Sequence, residues 1–398
     1  MNLDKVYHAA YTLKDVIRET DVIKAPSLNP ECNVYLKTEN LQITGSFKVR
    51  GAYYKMSQLA AADKARGVIA CSAGNHAQGV ALAAQRSGIK ATICLPDGAP
   101  ISKVEATKSY GADVVLVPGV YDDAYNRALK LKEEKGLTFI HPFDDEDVIA
   151  GQGTIGLEII NQIPNVDAVI VPIGGGGLIS GIAFAIKALN PRIKVYGVQA
   201  SGAPSMLNSI RDKKIERLEE VSTIADGIAV KQPGNITYTL CSKYVDGIVA
   251  VSDDEIAAAI LQLIEKHKMI AEGAGAVPVA AVMFNKIPDL KGKNVCCVVS
   301  GGNIDVNILS RVINRGLQMS GRTATLTIEL TDKPGQLVKV SQIIANCGAN
   351  VTAVLHERSN AGSKINDCNL RITMETKNAA HIAEIKKALA TAGFTIVE

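Results

Sequence analysis

Nine short apolar runs, rich in valine and isoleucine, recur through the first 300 residues of this 398-residue chain. Runs of this length and composition predict buried β-strands. They lie at residues 34–36, 68–71, 91–95, 113–117, 138–141, 168–173, 194–199, 247–251 and 295–300. Helical patterns fall between most of them, for example at 75–86, 103–110, 124–134, 153–162, 178–189 and 253–266. Because strands and helices alternate, we expect an open, mostly parallel α/β sheet that binds ligands at the carboxyl ends of its strands.

The composition argues against several classes of partner. Lysine and arginine number 43 against 40 acidic residues, and the net charge of +3 is too small to indicate nucleic acid or an anionic membrane. Aromatic residues make up 4% of the chain and tryptophan is absent, which argues against a base-stacking surface. The N-terminal segment carries charges throughout and no apolar stretch is long enough to span a bilayer, so we expect neither a secretory signal nor a membrane span.

The eight cysteines are scattered along the chain without C-x-x-C spacing. This pattern indicates neither a zinc cage nor a redox dithiol. We therefore expect reduced thiols in the core, no metal site and a cytoplasmic location.

The pattern changes at residues 312–323, which are polar, contain glycine and lack a helical period. We place a domain boundary there, with a first domain at 1–318, a linker at 319–323 and a second domain at 324–398. Within the second domain we predict strand 324–330, turn 331–335, helix 336–346, strand 350–358, loop 359–367, strand 368–375, helix 379–392 and strand 394–397. This β-α-β-β-α-β order is that of the ferredoxin-like fold.

Two motifs in the first domain place polar groups where a helix begins. Lys48 follows a glycine–serine turn and opens a helix, whose unpaired N–H groups lower the pKa of its amine and favour a nucleophile; the alternative is a surface lysine. Asn75 lies between a predicted strand and helix, and it either binds a ligand oxygen or caps its own helix. The preceding Ser72, Ala73 and Gly74 are small enough for a carboxylate or phosphate to approach the backbone.

Two further motifs follow apolar strands. Four glycines at 174–177 precede Leu178 and can form a cup of backbone N–H groups around a phosphate, unless they are only a flexible turn. Their spacing is not that of a dinucleotide or nucleoside triphosphate site, so a compact phosphomonoester fits better. Ser300 offers a hydroxyl at the end of another strand, or simply caps it. A lysine amine, an asparagine, a phosphate cup and a serine are together the groups needed to hold pyridoxal phosphate.

Seven motifs occur in one order between about residue 20 and residue 315: S-F-K-x-R-G-A, S-A-G-N-H-A-Q-G, G-Q-G-T, G-G-G-G-L, A-D-G, E-G-A-G-A and S-G-G-N. In these motifs the chain resembles the fold type II pyridoxal-phosphate enzymes, and within them the threonine dehydratases, also called threonine ammonia-lyases. The resemblance implies two lobes built on parallel sheets, with a small lobe at roughly 45–145 inserted in the large one. It also implies α,β-elimination of L-threonine to 2-oxobutanoate and ammonia, and of L-serine to pyruvate.

The resemblance assigns roles to individual residues. Lys48 would bind the cofactor covalently and act as the base at Cα, and Asn75 would contact the phenolic oxygen of the cofactor. The implied cofactor-binding residues are Phe47, Lys48, Asn75, Gly174, Gly175, Gly176, Gly177, Leu178, Gly227 and Ser300. The substrate carboxylate would be received by Ser72, Ala73, Gly74 and Asn75. The role of Glu272, in the E-G-A-G-A motif, stays open.

Two departures separate the chain from similar serine racemases. Those enzymes carry a serine, as the acid on the second face, where this chain has Ala73, so we do not expect racemisation. They hold a divalent metal with two carboxylates near a segment where this chain has Gln199 and Ser205, so we expect no metal there. The other readings are a dedicated L-serine dehydratase and a catalytically silent amino-acid sensor, although the presence of Lys48 argues against the latter.

The second domain resembles an ACT domain, with its strand-to-helix turn at Asp332-Lys333-Pro334-Gly335-Gln336-Leu337. This resemblance implies a homodimer or homotetramer and an amino-acid effector, with isoleucine or valine as the leading candidates. The alternative is a dimerisation module without a ligand.

Overall fold

Strands and helices alternate through most of the chain in a computed structural model that describes residues 1–358 and 367–397. The chain forms two units, Met1–Ile308 and Leu309–Glu398. The strands of the first unit are β1 (Val22–Lys24), β2 (Asn33–Lys37), β3 (Val68–Cys71), β4 (Ala91–Pro96), β5 (Asp113–Val117), β6 (Thr138–Phe139), β7 (Ala168–Pro172), β8 (Lys194–Ala200), β9 (Gly247–Val251) and β10 (Asn294–Val298).

The helices begin before the first strand and follow most of the others. They are α1 (Leu3–Leu13), α2 (Lys48–Ser57), α3 (Ala61–Arg66), α4 (Asn75–Ser87), α5 (Ile101–Ser109), α6 (Tyr121–Lys135), α7 (Glu146–Gln162), α8 (Gly177–Leu189), α9 (Ser205–Arg211), α10 (Asn235–Tyr244), α11 (Asp253–His267), α12 (Gly273–Met283) and α13 (Val306–Met319). No described helix has the length and apolar character needed to cross a membrane.

Two sheets organise the first unit. The larger has the order β1-β2-β10-β7-β8-β9 and is parallel except for β1, which runs antiparallel to β2. The smaller, β5-β4-β3-β6, is entirely parallel. This arrangement confirms the predicted α/β fold with two parallel sheets.

The core of the larger sheet follows from its apolar strands. All five residues of β7 are buried, and so are the first ten of the thirteen residues of α8, which packs over the sheet with α7. Each large aliphatic side chain buried in this way contributes about 1.5–3 kcal/mol. Helices α7 and α8 approach closely because both carry glycine at the contact: a Cβ on Gly153 would lie 3.0 Å from the carbonyl oxygen of Gly181.

Several element ends differ from the sequence predictions. Helix α7 begins at Glu146 rather than at 153, because Asp145 caps it by accepting hydrogen bonds from Asp147 N and Val148 N. Strand β6 ends at Phe139, two residues before the predicted end. Helix α12 was not predicted, because it is buried on all sides and contains Pro278, so its sequence shows no amphipathic period. Helix α13 continues to Met319, through residues expected to lack a helical period.

The second unit is a four-stranded antiparallel sheet with helices on one face. After most of α13, its elements are β11 (Thr323–Thr331), α14 (Gln336–Asn346), β12 (Asn350–Glu357), β13 (Asp367–Glu375), α15 (Ala379–Thr391) and β14 (Thr395–Val397). The sheet order β12-β13-β11-β14 confirms the predicted ferredoxin-like plan. Ile328, Ile372, Val340 and Ile385 are fully buried between sheet and helices. The loop predicted at 359–367 lies outside the described residues except for Asp367, which begins β13.

The cysteines are all unpaired, as expected. Seven of the eight are buried, and only Cys347 is half-buried.

Candidate active site

A cavity of about 1160 Å³ opens where the strands of the first unit end. Each of the four motifs contributes to its wall. The lining residues include every predicted site residue, namely Phe47, Lys48, Ser72, Ala73, Gly74, Asn75, Gly174, Gly175, Gly176, Gly177, Leu178, Gly227 and Ser300. Ser72, Gly174 and Ser300 all lie just beyond the carboxyl ends of β3, β7 and β10, which is where a parallel sheet binds ligands.

Lys48 is the first residue of α2 and its side chain reaches into this cavity. Its Nζ donates a hydrogen bond to the carbonyl oxygen of Pro142 at 3.0 Å and lies 5.2 Å from the centre of the Phe47 ring. Desolvation by the surrounding protein lowers the pKa of Lys48 to about 8, although the charge of Glu272 opposes this shift. The neutral, nucleophilic amine of Lys48 is therefore far more populated near neutral pH than in an ordinary lysine, although the protonated form still predominates.

Backbone hydrogen bonds hold the turn before Lys48 against the end of β10. Phe47 N donates to Ser300 O at 3.2 Å, and Gly302 N donates to Gly45 O at 2.9 Å. Ser300, which is buried, is thereby fixed beside the start of α2 in the wall of the same cavity.

Asn75 is the first residue of α4, but its side chain does not cap that helix. Its Nδ2 donates to Glu272 Oε1 at 2.7 Å, and its Oδ1 accepts from Asn303 Nδ2 at 2.8 Å. Asn303 Nδ2 also donates to Thr44 O at 2.7 Å. These contacts fix the orientation of the Asn75 amide and leave its second N–H for a ligand.

Glu272 is buried at the start of α12 and lines the cavity. Burial and the nearby charge of Asp226 raise its pKa to about 7, and the hydrogen bond from Asn75 and the charges of Lys103 and Lys48 only partly offset this rise. Both the protonated and the ionised forms of Glu272 are therefore populated near neutral pH.

The glycine loop is packed too tightly for side chains. A Cβ on Gly177 would lie 2.8 Å from Phe143 Cβ, and Gly176 has a φ of +97°, a conformation that favours glycine. Thr237 Oγ1 donates to Gly175 O at 2.6 Å and holds the loop from behind. The first amides of α8, which have no partners within the helix, thus form part of the cavity wall.

Arg50, which follows Lys48 on helix α2, is part of a buried ionic network. Arg50 Nε and Nη2 donate to Glu39 at 2.9 and 2.8 Å, and Arg50 Nη1 donates to Glu158 Oε1 at 2.5 Å. Lys37 Nζ donates to Glu158 Oε2 at 2.6 Å. Arg50, Glu39 and Lys37 are fully buried, so their charges depend on one another for compensation.

His76, in the S-A-G-N-H-A-Q-G motif, is a buried side chain. His76 is buried, its Nε2 contacts Ile140 O at 2.8 Å, and burial lowers its pKa to about 3. It is therefore a neutral core side chain at physiological pH.

Gln199 lies in the segment compared above with the metal-binding segment of the serine racemases. Its side chain forms hydrogen bonds with nearby backbone groups. Its Nε2 donates to Ala203 O at 3.2 Å, and its Oε1 accepts from Leu207 N at 2.8 Å. Its side chain is thus engaged with backbone groups of the segment that leads into α9.

Comparison with known proteins shows which families the chain matches. Residues 13–301 match the family of pyridoxal-phosphate dependent enzymes, and residues 319–392 match the ACT domain. An L-threonine ammonia-lyase of Thermotoga maritima is 50% identical over 398 residues, covering 100% of this chain and 99% of that protein.

Solved structures agree with this match. Maize serine racemase has a TM-score of 0.75 and 34% identity, covering 80% of this chain and 98% of its own. The processed form of threonine deaminase isoform 2 from Solanum lycopersicum has a TM-score of 0.74 and 40% identity, covering 79% and 94%. The chain belongs to the pyridoxal-phosphate-dependent enzymes and carries a C-terminal ACT domain.

The residues of the cavity fit this cofactor. Its aldehyde requires a primary amine with a lowered pKa, which Lys48 supplies. Its phosphate requires backbone donors on a surface without side chains, and the glycine loop before α8 meets both conditions. Asn75 retains an amide hydrogen for an oxygen of the ring, and Ser300 brings a neutral hydroxyl to the same wall.

Proposed function

We propose that this chain is a threonine ammonia-lyase that converts L-threonine to 2-oxobutanoate and ammonia. The observation that carries the proposal is the single cavity in which the Lys48 amine, the glycine loop and the oriented Asn75 meet. The full-length likeness to the protein of Thermotoga maritima, which is named an L-threonine ammonia-lyase, supports it.

In this proposal different groups of the predicted residues bind the cofactor and the substrate. The amides of Gly174, Gly175, Gly176, Gly177 and Leu178 hold the cofactor phosphate, as donors at a helix start do. Asn75 and Ser300 would hold the two polar atoms of the ring, and Phe47 and Gly227 would pack against it. The segment from Ser72 to Asn75, at the start of α4, receives the substrate carboxylate.

When bound, pyridoxal phosphate supplies an electron sink that stabilises negative charge at Cα of the substrate. Lys48 then acts as the general base, and its neutral amine removes the Cα proton. The β-hydroxyl would leave as water with a proton that balances the one Lys48 took from Cα, which returns Lys48 to its neutral form. The released enamine tautomerises and takes up water to give the 2-oxo acid and ammonia.

The neutral hydroxyl of Ser300 bears on the type of reaction. It would not hold a proton on the ring nitrogen as a carboxylate would, so Ser300 would make the cofactor a weaker electron sink and favour elimination over transamination. Ala73 offers no acidic hydrogen to the second face, which argues against racemisation.

The assay that tests the proposal follows 2-oxo acid formation by the purified, cofactor-loaded protein with L-threonine and, separately, L-serine at equal concentration. We expect turnover of both, with 2-oxobutanoate formed faster. Since one methyl group is worth only about 1–3 kcal/mol in a pocket, a reversed preference would indicate an L-serine dehydratase. No oxo acid from either substrate would contradict the proposal and favour the silent sensor.

We also propose that the ACT domain binds isoleucine or valine as effector. A second cavity, of about 770 Å³, lies in the C-terminal unit between the end of β11, helix α14 and Phe394. It is large enough to admit an amino acid. The test is to repeat the assay with each amino acid added; unchanged kinetics and no binding by calorimetry would leave the domain as a dimerisation module.

The remaining proposals concern organisation. We propose a cytoplasmic location. We also propose a homodimer or homotetramer, since edge strand β12 leaves Val354 and Leu355 exposed and can pair with a second copy. We place the catalytic domain at 1–318, with its small lobe at roughly 45–145, the linker at 319–323 and the regulatory domain at 324–398. Light scattering of the purified protein tests the oligomeric state, and a monomer would contradict it.

The pKa of Lys48 predicts how the cofactor-free protein captures pyridoxal phosphate. Because only the neutral amine attacks an aldehyde, we expect the capture rate to rise about tenfold per pH unit and to level off near pH about 8. In Glu272→Gln the midpoint should move to lower pH, because the charge of Glu272 raises the pKa of Lys48. Stopped-flow absorbance of the bound cofactor measures both profiles.

The matched control is Glu105→Gln, which removes an exposed glutamate of α5. Its profile should coincide with that of the parent, so that titration of the cofactor itself cancels in the comparison. A Glu272→Gln midpoint equal to or above the parent value would contradict the assigned coupling.

A further inference from the structure

Three side chains that commonly bind metals converge at one end of the C-terminal sheet. Asp332, His356 and Cys368 offer an oxygen, a nitrogen and a sulfur atom that all lie within 4.8 Å of one another. His356 Nε2 is 3.0 Å from Cys368 Sγ and 3.8 Å from Asp332 Oδ1. These separations are short enough for a single cation to contact all three atoms.

The sheet itself brings the three together. Asp332 directly follows β11, His356 lies on β12 and Cys368 lies on β13. In the register, Cys368 pairs with Leu330 and His356 pairs with Leu370, so His356 and Cys368 are diagonal neighbours on one face. Three hydrogen-bonded strands therefore fix the relative positions of the ligand atoms.

The geometry differs from that of a cysteine nucleophile with a histidine base. In such a triad the acid binds the ring nitrogen opposite the nucleophile, so that Nδ1 and Nε2 have different partners. Here the thiol and the carboxylate both face Nε2 of His356. A shared ring nitrogen is the arrangement expected around a metal, in which Nε2 is the coordinating atom.

We propose that Asp332, His356 and Cys368 bind one zinc ion, with water as the fourth ligand. Zinc accepts thiolate, imidazole and carboxylate together, and three protein ligands plus water is a common set for it. Magnesium and calcium prefer oxygen ligands, so the sulfur of Cys368 selects against them. On binding, the thiol releases its proton to solvent and gives up its hydrogen bond to Leu330 O.

Arg358 orients the carboxylate ligand. Its Nε donates to Asp332 Oδ2 at 2.9 Å, while the other oxygen, Oδ1, is the one that faces His356. Ligating carboxylates are ordinarily held by such a second hydrogen bond. This site lies outside the cavity that carries Lys48, so the inference stands independently of the proposed reaction.

Sequence spacing gives no sign of this site. His356 and Cys368 are twelve residues apart in the sequence, and helix α14 and most of strand β12 separate Asp332 from His356. The three residues therefore form no short zinc motif. The sequence prediction of no metal site at the cysteines rests on their spacing alone.

The experiment adds Co²⁺, as a spectroscopic substitute for zinc, and ZnCl₂ to the full-length, cofactor-loaded protein. We expect a thiolate-to-cobalt charge-transfer band that saturates at one ion per chain, and displacement of cobalt by zinc. MgCl₂ should not displace it. Failure of the band to form would overturn the proposal.

Variants locate the ion. His356→Gln and Cys368→Ser should each weaken zinc binding, measured by calorimetry, by at least about tenfold, and Cys368→Ser should abolish the cobalt band. The His356 side chain is 37% exposed, so its substitution should disturb the fold less than a change at buried Cys368. The matched control is Cys347→Ser, a half-buried cysteine of the same unit, which should bind as the parent does. A band that persists in Cys368→Ser, or unchanged zinc affinity in His356→Gln, would place the ion elsewhere and refute the assignment.

Discussion

Replacing Lys48 with alanine is expected to lower 2-oxo acid formation from L-threonine by about 10⁴-fold. The variant loses both the amine that joins the cofactor and the base at Cα. Because Lys48 lies at the start of α2 with its amine in the cavity, we expect little change in folding. Single-turnover kinetics measures the loss. Borohydride reduction followed by peptide mass analysis reports separately whether the cofactor is attached at residue 48.

Two variants separate chemistry from charge. Lys48→Arg keeps a cation but cannot lose its proton, so it should be as inactive as Lys48→Ala. Lys55→Ala removes a lysine two turns further along the same helix, where it pairs with Asp145 at 2.7 Å and Asp147 at 3.0 Å, and should keep activity within about threefold. Lys48→Ala activity above about a tenth of the parent would refute the assigned role.

The fold was predictable where the pattern of side chains reflects burial. Strands such as β3 and β7 are apolar at every position because sheet residues are covered on both faces, and each was predicted within a residue of its ends. Helix α12 is covered on all sides as well, but Pro278 and the absence of a polar face remove the usual helical signal. The three-residue strand β1 is too short to show alternation at all.

The candidate site was predictable because its backbone chemistry is local. A glycine loop before a helix, a lysine at a helix start and small residues after a strand each act within one segment, and all of them line one cavity. Glu272 and Asn303 act across the chain, since their partner Asn75 is about 200 residues away in sequence. Sequence spacing alone cannot relate such residues, so the sequence leaves the role of Glu272 open, whereas the structure shows its contact with Asn75.

Replacing Arg50 with methionine is expected to destabilise the first unit by about 3–5 kcal/mol at neutral pH. The guanidinium compensates both Glu39 and Glu158, and its removal would leave the Glu39 carboxylate fully buried with only the charge of Lys37 nearby. Because α2 also carries Lys48, cofactor retention should fall together with stability. Denaturant unfolding of the cofactor-loaded protein, followed through cofactor absorbance, reports on this unit rather than on the ACT domain.

The pH dependence identifies the charges responsible. In the parent, burial alone would raise the pKa of Glu39, but Arg50 overrides it and holds that pKa below the ordinary value, so the stabilisation persists above pH about 4 and is lost only in stronger acid. In Arg50→Met burial dominates and the carboxyl is favoured in its protonated form. The deficit should therefore shrink as the pH falls from about 8 to about 5. Arg127→Met, which breaks an exposed pair with Glu134, should change stability by less than about 1 kcal/mol at every pH. A deficit of equal size at both pH values would mean that Arg50 acts through packing rather than through charge.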